Sequence, residues 1–420
     1  MNQNAGQDGY TNIPMSLKNS SGISVGMEYY LPFADNTTHG DYLYSRLYLF
    51  SPTNTAVRID SDNDNIFETV LNVTENTETV YNYPIAGSHI VSDDPVLIYY
   101  RHQSDDWGAY DDQAFTYTLL PVDILGVDYY LPSSPTIISM VATQSSTNIQ
   151  IDTDNDGTPE ATYSNLNKGT VRNYTNPSAG THITSNHPIF VVAVNYNWAN
   201  MDSTYSYSVL PTDKLGTDYW YNIDYKTLRY NTVADYSALH IVATQDNTQL
   251  HINSQNYILN TGETISYSFN NGTIHITSDK PVGAVYIFDI YATDPWAGNP
   301  NRHYMHAMSL IPTTQLGTEY PISYYVVSTH DNTRVDIDSD FNGSFENTTY
   351  LNAGGAINTF YTQSNPTKPN LVTNTTGHIK SNNPVLSYYA RIENYEGTDE
   401  ATWMYTMLPS REVGFDYPMY

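Results

Sequence analysis

Three short acidic runs are the part of this 420-residue chain best equipped for chemistry. They read DSDNDNIFE (Asp60 to Glu68), DTDNDGTPE (Asp152 to Glu160) and DSDFNGSFE (Asp338 to Glu346). Oxygen-bearing side chains stand at positions 1, 3 and 5 of each run: Asp60, Asp62 and Asp64; Asp152, Asp154 and Asp156; Asp338, Asp340 and Asn342. Position 6 is Asn65, Gly157 or Gly343, residues that tolerate a left-handed turn. Position 9 is Glu68, Glu160 or Glu346. A hard divalent cation takes about six to eight oxygens from a tight loop. This spacing offers three side chains, a carbonyl near position 7 and a closing glutamate. It is similar to the D-x-D-x-D-G calcium loops of extracellular repeat proteins. It departs from the EF-hand, where the closing Glu is at position 12; here position 12 is Leu71, Tyr163 or Thr349. The plain alternative is a solvated acidic bend. Three copies at one place in a repeat favour structural Ca²⁺.

Two other recurring features could bind something. One is a histidine, His89, His182, His275 and His378, always six residues before the return proline. One His per unit cannot converge on a single ion, so a strand histidine hydrogen-bonded to neighbouring backbone is expected. The other is a loop with an aromatic among acids or amides: Trp107, Trp198, Trp296 and Tyr395. Such rings can stack on sugars or anchor a protein interface, or simply cover a sheet edge. The chain has no G-x-S-x-G, HExxH or phosphate loop. A fourfold repeat with no distinguished site is read as not an enzyme.

The elements that position these residues are themselves repeated. YTLLPVDILGVDYY (Tyr117 to Tyr130) returns as YSVLPTDKLGTDYW, MSLIPTTQLGTEYP and YTMLPSREVGFDYP, and a degraded copy opens the chain from Tyr10 to Leu17. The prolines, at 14, 121, 211, 312 and 409, are separated by 107, 90, 101 and 97 residues. That period is domain-sized. The junction reads as a strand ended by Pro, a turn with positive φ at Gly126, Gly216, Gly317 and Gly414, then a strand opening the next unit. Between junctions come a hairpin (VATQSSTNIQI and its kin), the acidic run, and a return of the form G-x-H-I-x-S-x-x-P-V followed by nearly continuous apolar residues. The third unit replaces the acidic run with NSQNYIL.

About seven strands per unit, with turn signals every eight to twelve residues, indicate an all-β chain: a tandem array of four antiparallel β-sandwich units. The alternative is a closed propeller-like ring, set behind the array because a propeller blade has about four strands. The expected units are 26–125, 126–215, 216–316 and 317–404, with an N-terminal extension 1–25 and a C-terminal junction strand 405–420.

Composition limits the partners. A net charge of −28 with 16 Lys and Arg excludes nucleic acid and anionic membrane surfaces. There is no apolar run long enough for a spanning helix. Forty Tyr and no Cys give a β-rich composition without disulfides or thiolate metal sites. The polar opening is not a signal peptide, so secretion by that route implies that a leader has been removed. Sequons at Asn19, Asn36, Asn72, Asn173, Asn271, Asn342, Asn347 and Asn374 lean toward an extracellular glycoprotein.

The series LP-x-x-x-LG-x-[DE]-Y, VAT-x-DNT and G-x-x-I-x-S-x-x-PV resembles the repeats of the IgGFc-binding N-terminal domain family, found in mucin-associated secreted proteins and in bacterial and archaeal surface proteins. The resemblance implies an extracellular binding or structural role. It does not bring immunoglobulin binding, which attaches to no residue here, and the acidic loops lie outside its pattern. The expected function is a Ca²⁺-stabilised surface protein assembling head to tail with copies of itself by strand exchange between the junction ends. The alternative is a monomeric adhesin or carbohydrate-binding protein using the aromatic loops. Partners are therefore the chain itself, other surface proteins or glycans.

Overall fold

The computed structural model describes residues 25–36, 42–105, 113–195, 204–223, 237–269, 272–292, 302–323, 325–338, 344–358, 377–394 and 400–406. The first unit comprises β1 (Gly26–Tyr30), β2 (Tyr42–Phe50), β3 (Thr55–Asp60), β4 (Thr69–Val73), β5 (Thr79–Asn82), β6 (His89–Asp105) and β7 (Gln113–Thr118). The second has β8 (Gly126–Tyr130), β9 (Ile137–Ala142), β10 (Thr147–Asp152), β11 (Ala161–Leu166), β12 (Val171–Thr175), β13 (His182–Asn195) and β14 (Tyr205–Ser208). The third has β15 (Gly216–Ile223), β16 (Ala238–Ala243), β17 (Thr248–Ile252), β18 (Gln255–Leu259), β19 (Thr264–Ser268), β20 (Gly272–Ala292) and β21 (Arg302–Ser309). The fourth has β22 (Gly317–Ser323), β23 (Tyr325–Ser328), β24 (Thr333–Asp338), β25 (Asn347–Leu351), β26 (Ala356–Asn358), β27 (Gly377–Asn394) and β28 (Glu400–Thr406). Among the described residues all strand pairs are antiparallel, and the only helices are single 3₁₀ turns after Pro121, Pro211 and Pro312.

One long strand organises each unit. The first half of β6 pairs with β1 and β3, and β4 extends that side; the second half pairs with β2 and β7, and β5 extends the other. The motif expected to be two strands and a turn is thus one strand with a bend at Ser-x-x-Pro. There the proline removes a ladder donor, and the serine hydroxyl donates to the carbonyl two residues on: Ser92 to Asp94 at 2.7 Å, Ser185 to His187 at 2.7 Å, Ser278 to Lys280 at 2.7 Å and Ser381 to Asn383 at 2.8 Å. The junction tyrosine fills the bulge opposite. Tyr129 accepts from Gly126 N at 2.9 Å and donates to Ile189 O at 2.5 Å, and Tyr29, Tyr219 and Tyr320 repeat the arrangement.

Two local expectations need correcting. The presumed hairpin is not one: β9 and β10 pair with opposite halves of β13, so the polar turn carries the chain across the bend. The junction glycines Gly26, Gly126 and Gly216 are not in the left-handed region. They are needed because the next proline lies directly against them; a Cβ on Gly126 would sit 2.4 Å from Pro211 Cβ, and one on Gly216 2.4 Å from Pro312 Cβ.

The four antiparallel units follow one another in tandem as expected, and they also close on one another. Strands β7, β14, β21 and β28 touch in cyclic order, with β28 returning to β7. Ser208 Oγ donates to Thr118 O across the first of these contacts, and Ser309 Oγ donates to Ser208 O at 2.5 Å across the second. The objection that seven strands overfill a blade falls away, because the bend in the long strand divides them. Only four strands (β7, β6, β2 and β5 in the first unit) pair side by side on the half of the bend that carries β7. A cavity of about 20 Å³ between Tyr117, Tyr207, Met308 and Ser309 is room for about one water.

The blades bury both faces. Residues Ile189 to Val194 of β13 are all 0% exposed. Ile189, Val191 and Ala193 join one core with Ile138 and Met140, whereas Phe190, Val192 and Val194 join another with Tyr117 and Leu119 of the first unit. Period-2 alternation feeding two cores explains why this segment reads as unbroken apolar sequence.

Candidate metal centre

The acidic runs lie where β3 and β10 end. Asp60 and Asp152 are the last residues of those strands and face His89 and His182 across the ladder. Both are buried. Each then folds the following residues around itself. Asp60 accepts from Asn63 N at 2.7 Å and from Asn65 N at 3.0 Å, and Asp152 Oδ2 accepts from Gly157 N at 2.9 Å. Asp64 Oδ1 and Asp156 Oδ1 each accept from the amide two residues on at 2.7 Å. Glu68 closes the first loop on Ser61 N and Oγ, both at 2.7 Å; Glu160 closes the second on Thr153 N at 2.5 Å and Oγ1 at 2.9 Å. These donors hold the exposed Glu68 carboxyl below its usual pKa. The turn needs left-handed residues, supplied by Asn63 (φ 63°), Asn65 (φ 70°), Asn155 (φ 58°) and Gly157 (φ 87°).

The result is a cluster of four carboxylates in each loop. Asp60, Asp62, Asp64 and Glu68 present ligand atoms within 4.8 Å of one another, and so do Asp152, Asp154, Asp156 and Glu160. Oxygens bound at about 2.3–2.6 Å to one Ca²⁺ are at most about 5 Å apart, so the size fits. Like charges so close repel by about 1–4 kcal/mol per pair between water and a partly screened surface. In the second loop Asp152 is only 9% exposed, and its Oδ1 has no hydrogen-bond partner. A buried carboxylate oxygen without a donor is costly unless a cation meets it.

The third run is described only at its ends. Asp338 closes β24, buried, opposite His378, and Glu346 N donates to Ile337 O at 3.0 Å. Asp340 and Asn342 lie outside the described residues, as do Trp107, Trp198, Trp296 and Tyr395. The third unit makes the same turn without charge. Asn253 donates through N to His275 O and accepts through Oδ1 from His275 N, both at 3.0 Å.

The recurring histidines do not take backbone partners, as the sequence suggested. Each pairs with the acid of the junction motif: His89 with Glu28 at 2.9 Å, His182 with Asp128 at 3.2 Å, His275 with Asp218 at 3.4 Å and His378 with Glu319 at 2.8 Å. The hydrogen bond from His89 holds Glu28 below its usual pKa, and that from His378 does the same to Glu319. An aromatic stacks on the imidazole in the first three units: Tyr30 at 4.7 Å, Tyr130 at 4.3 Å and Trp220 at 3.9 Å. Burial pushes the Tyr130 hydroxyl up to about 12. Both partners of each pair recur in every unit of the sequence, which is the signal that could have linked them.

Comparison with known proteins agrees with the repeat motifs. Residues 115–323 match the family described as IgGFc binding protein. The matched stretch begins in β7 and ends in β22, taking in the whole second and third units. No curated protein matches the sequence. Among solved structures the chain is similar to one titled biofilm associated protein, BSP domain, at 7% identity and a TM-score of 0.14, over 94% of this chain and 97% of that one. A likeness so weak carries neither fold nor function across.

Proposed function

We propose that this chain is an extracellular, non-enzymatic surface protein whose acidic loops bind structural Ca²⁺ and whose ring of β units presents loops to partner proteins or glycans. The observation that carries the metal reading is the buried, unpartnered Oδ1 of Asp152 inside a four-carboxylate cluster. The ligand set is all oxygen, which suits Ca²⁺ and not a thiolate- or imidazole-seeking metal. In the sequence the third run, with Asp338, Asp340, Asn342 and Glu346, repeats the spacing of the two clusters. Family resemblance over residues 115–323 supports a binding role outside the cell, and an acidic, lysine-poor composition agrees with it. Addition of Ca²⁺ raises the melting temperature of the purified chain and EDTA lowers it; equal melting in both retires the metal reading.

Closure of the ring supports action as a single copy over head-to-tail strand exchange, because β28 already covers β7. Sedimentation separates the two. A monomer unaltered by deletion of residues 405–420 supports the first, and a polymer dispersed by that deletion supports the second. Joint replacement of Trp107, Trp198 and Trp296 by Ala abolishes glycan-array signal if the aromatic loops bind sugar.

A further inference from the structure

We propose that Ca²⁺ in the second unit's acidic loop locks the seam between that unit and the third, so that the ion acts on ring closure and not only on its own bend. The proposal rests on the metal reading above. It begins from Asn155, the loop residue between the ligands Asp154 and Asp156. Its left-handed backbone turns the amide outward, and Nδ2 donates to Gly180 O at 2.8 Å in the return turn of its own unit. The same amide lies against Gly262, in the β18–β19 turn of the third unit. A Cβ on Gly262 would stand 2.3 Å from Asn155 Nδ2 and 2.7 Å from its Cγ, and a Cβ on Gly180 would stand 2.1 Å from Gly262 O. Two glycines and one asparagine are thus fitted face to face across the seam.

Because Asn155 is flanked by two ligands, it cannot shift without moving them. Metal binding and seam contact are therefore linked, and linkage is reciprocal. The seam between the first and second units repeats the device. Asn63 Nδ2 donates to Gly87 O at 2.9 Å, and a Cβ on Gly169 would be 2.2 Å from Asn63 Nδ2. Between the third and fourth units there is no acidic loop, and the corresponding turn is held without a metal. Gly354 O accepts from Thr273 Oγ1 at 2.8 Å and from Asn222 Nδ2 at 3.1 Å, and the ring of Trp220 covers the glycine. Where the acidic run is missing, uncharged side chains take over the seam; in the two described loops its fourth residue, Asn63 or Asn155, makes it.

The test is calorimetric titration of Ca²⁺ into the full chain, stripped with EDTA, for the wild type, Gly262→Ala and Gly272→Ala. Gly262 touches no ligand. Gly272 shares its positive φ (+100° against +75°) with nothing within 4 Å of a Cβ, so it controls for backbone strain. Expected is a loss of affinity of about 5–150-fold at one site in Gly262→Ala, with Gly272→Ala unchanged. Should Gly262→Ala not fold, Asp154→Asn serves. Hydrogen exchange at residues 260–263 then slows on adding Ca²⁺ in the wild type but not in the variant. Wild-type binding with unaltered affinity in Gly262→Ala, or exchange at 260–263 indifferent to Ca²⁺, overturns the seam lock and leaves the metal reading standing. A wild type that takes up no Ca²⁺ overturns both.

Discussion

The second and third units build the same seven-stranded sheet from opposite solutions to one turn. After Ile151 the second unit spends nine residues, Asp152 to Glu160, and gathers four carboxylates. After β17 the third spends two, Asn253 and Ser254, and satisfies His275 through neutral hydrogen bonds. Sheet order, the serine-proline bend, the tyrosine plug and the histidine–acid pair are common to both. The fold therefore does not require the acidic loop. A loop that gathers like charges around a buried aspartate, where a two-residue turn suffices, is what the proposed cation binding accounts for.

Chelation is the coarsest way to break this comparison. With Ca²⁺ at a hundredfold its Kd, each occupied loop adds about 2.7 kcal/mol, so EDTA is expected to lower stability by about 5 kcal/mol for the two fully described loops. Thermal melts with and without EDTA measure it. Grafting the third unit's turn onto the second, with Asn-Ser in place of 152–160, sharpens the contrast. The graft folds and loses one loop's share of the Ca²⁺ response, about 2.7 kcal/mol. A graft that fails to fold would mean that the loop is needed by the sheet itself.

A smaller effect changes sign with the metal. Asp152→Asn relieves charge repulsion and supplies a neutral group where Oδ1 stands alone. In EDTA the variant is expected to be more stable than the wild type by about 1 kcal/mol, on the scale of one relieved charge pair; in Ca²⁺ it is less stable. Denaturant midpoints in the two buffers decide it, and the same sign in both contradicts the assignment.

The smallest effect belongs to what the units share. The folded-state pKa of Glu28 and Glu319 lies below the ordinary 4.5. The unfolded chain thus takes up protons first, and the stability these pairs contribute is present above about pH 4.5 and lost as pH falls through the folded value. Glu28→Gln flattens part of that acid limb in thermal melts between about pH 3 and 6, and leaves the Ca²⁺ response of the second loop unchanged.

Much of this was legible in the sequence, for stated physical reasons. The repeated Pro and Gly marked every junction, and alternation marked the strands, because both follow from local backbone chemistry. The clustering of the carboxylates in the two described loops was legible because a turn places positions 1, 3, 5 and 9 on one side whatever surrounds it. What depended on long-range pairing was not. Nothing local distinguishes a hairpin from a turn that crosses a bent strand, so β9 and β10 were misjoined. The bend that divides seven strands into a blade and its companion sheet depends on Ser185 meeting His187 O while Tyr129 fills the bulge. Without it the closed ring looked overfilled. The glycines Gly126 and Gly216 were recognised as necessary, but their cause is the approach of Pro211 and Pro312 about ninety residues away in the chain, not a positive φ.

Titration calorimetry of Ca²⁺ into the stripped chain, beside the double variant Asp60→Asn, Asp152→Asn, tests the metal assignment most directly. Saturable binding that loses the heats of two loops in the double variant is the predicted result. Equal heats from both proteins, or no heat from the wild type, would contradict it.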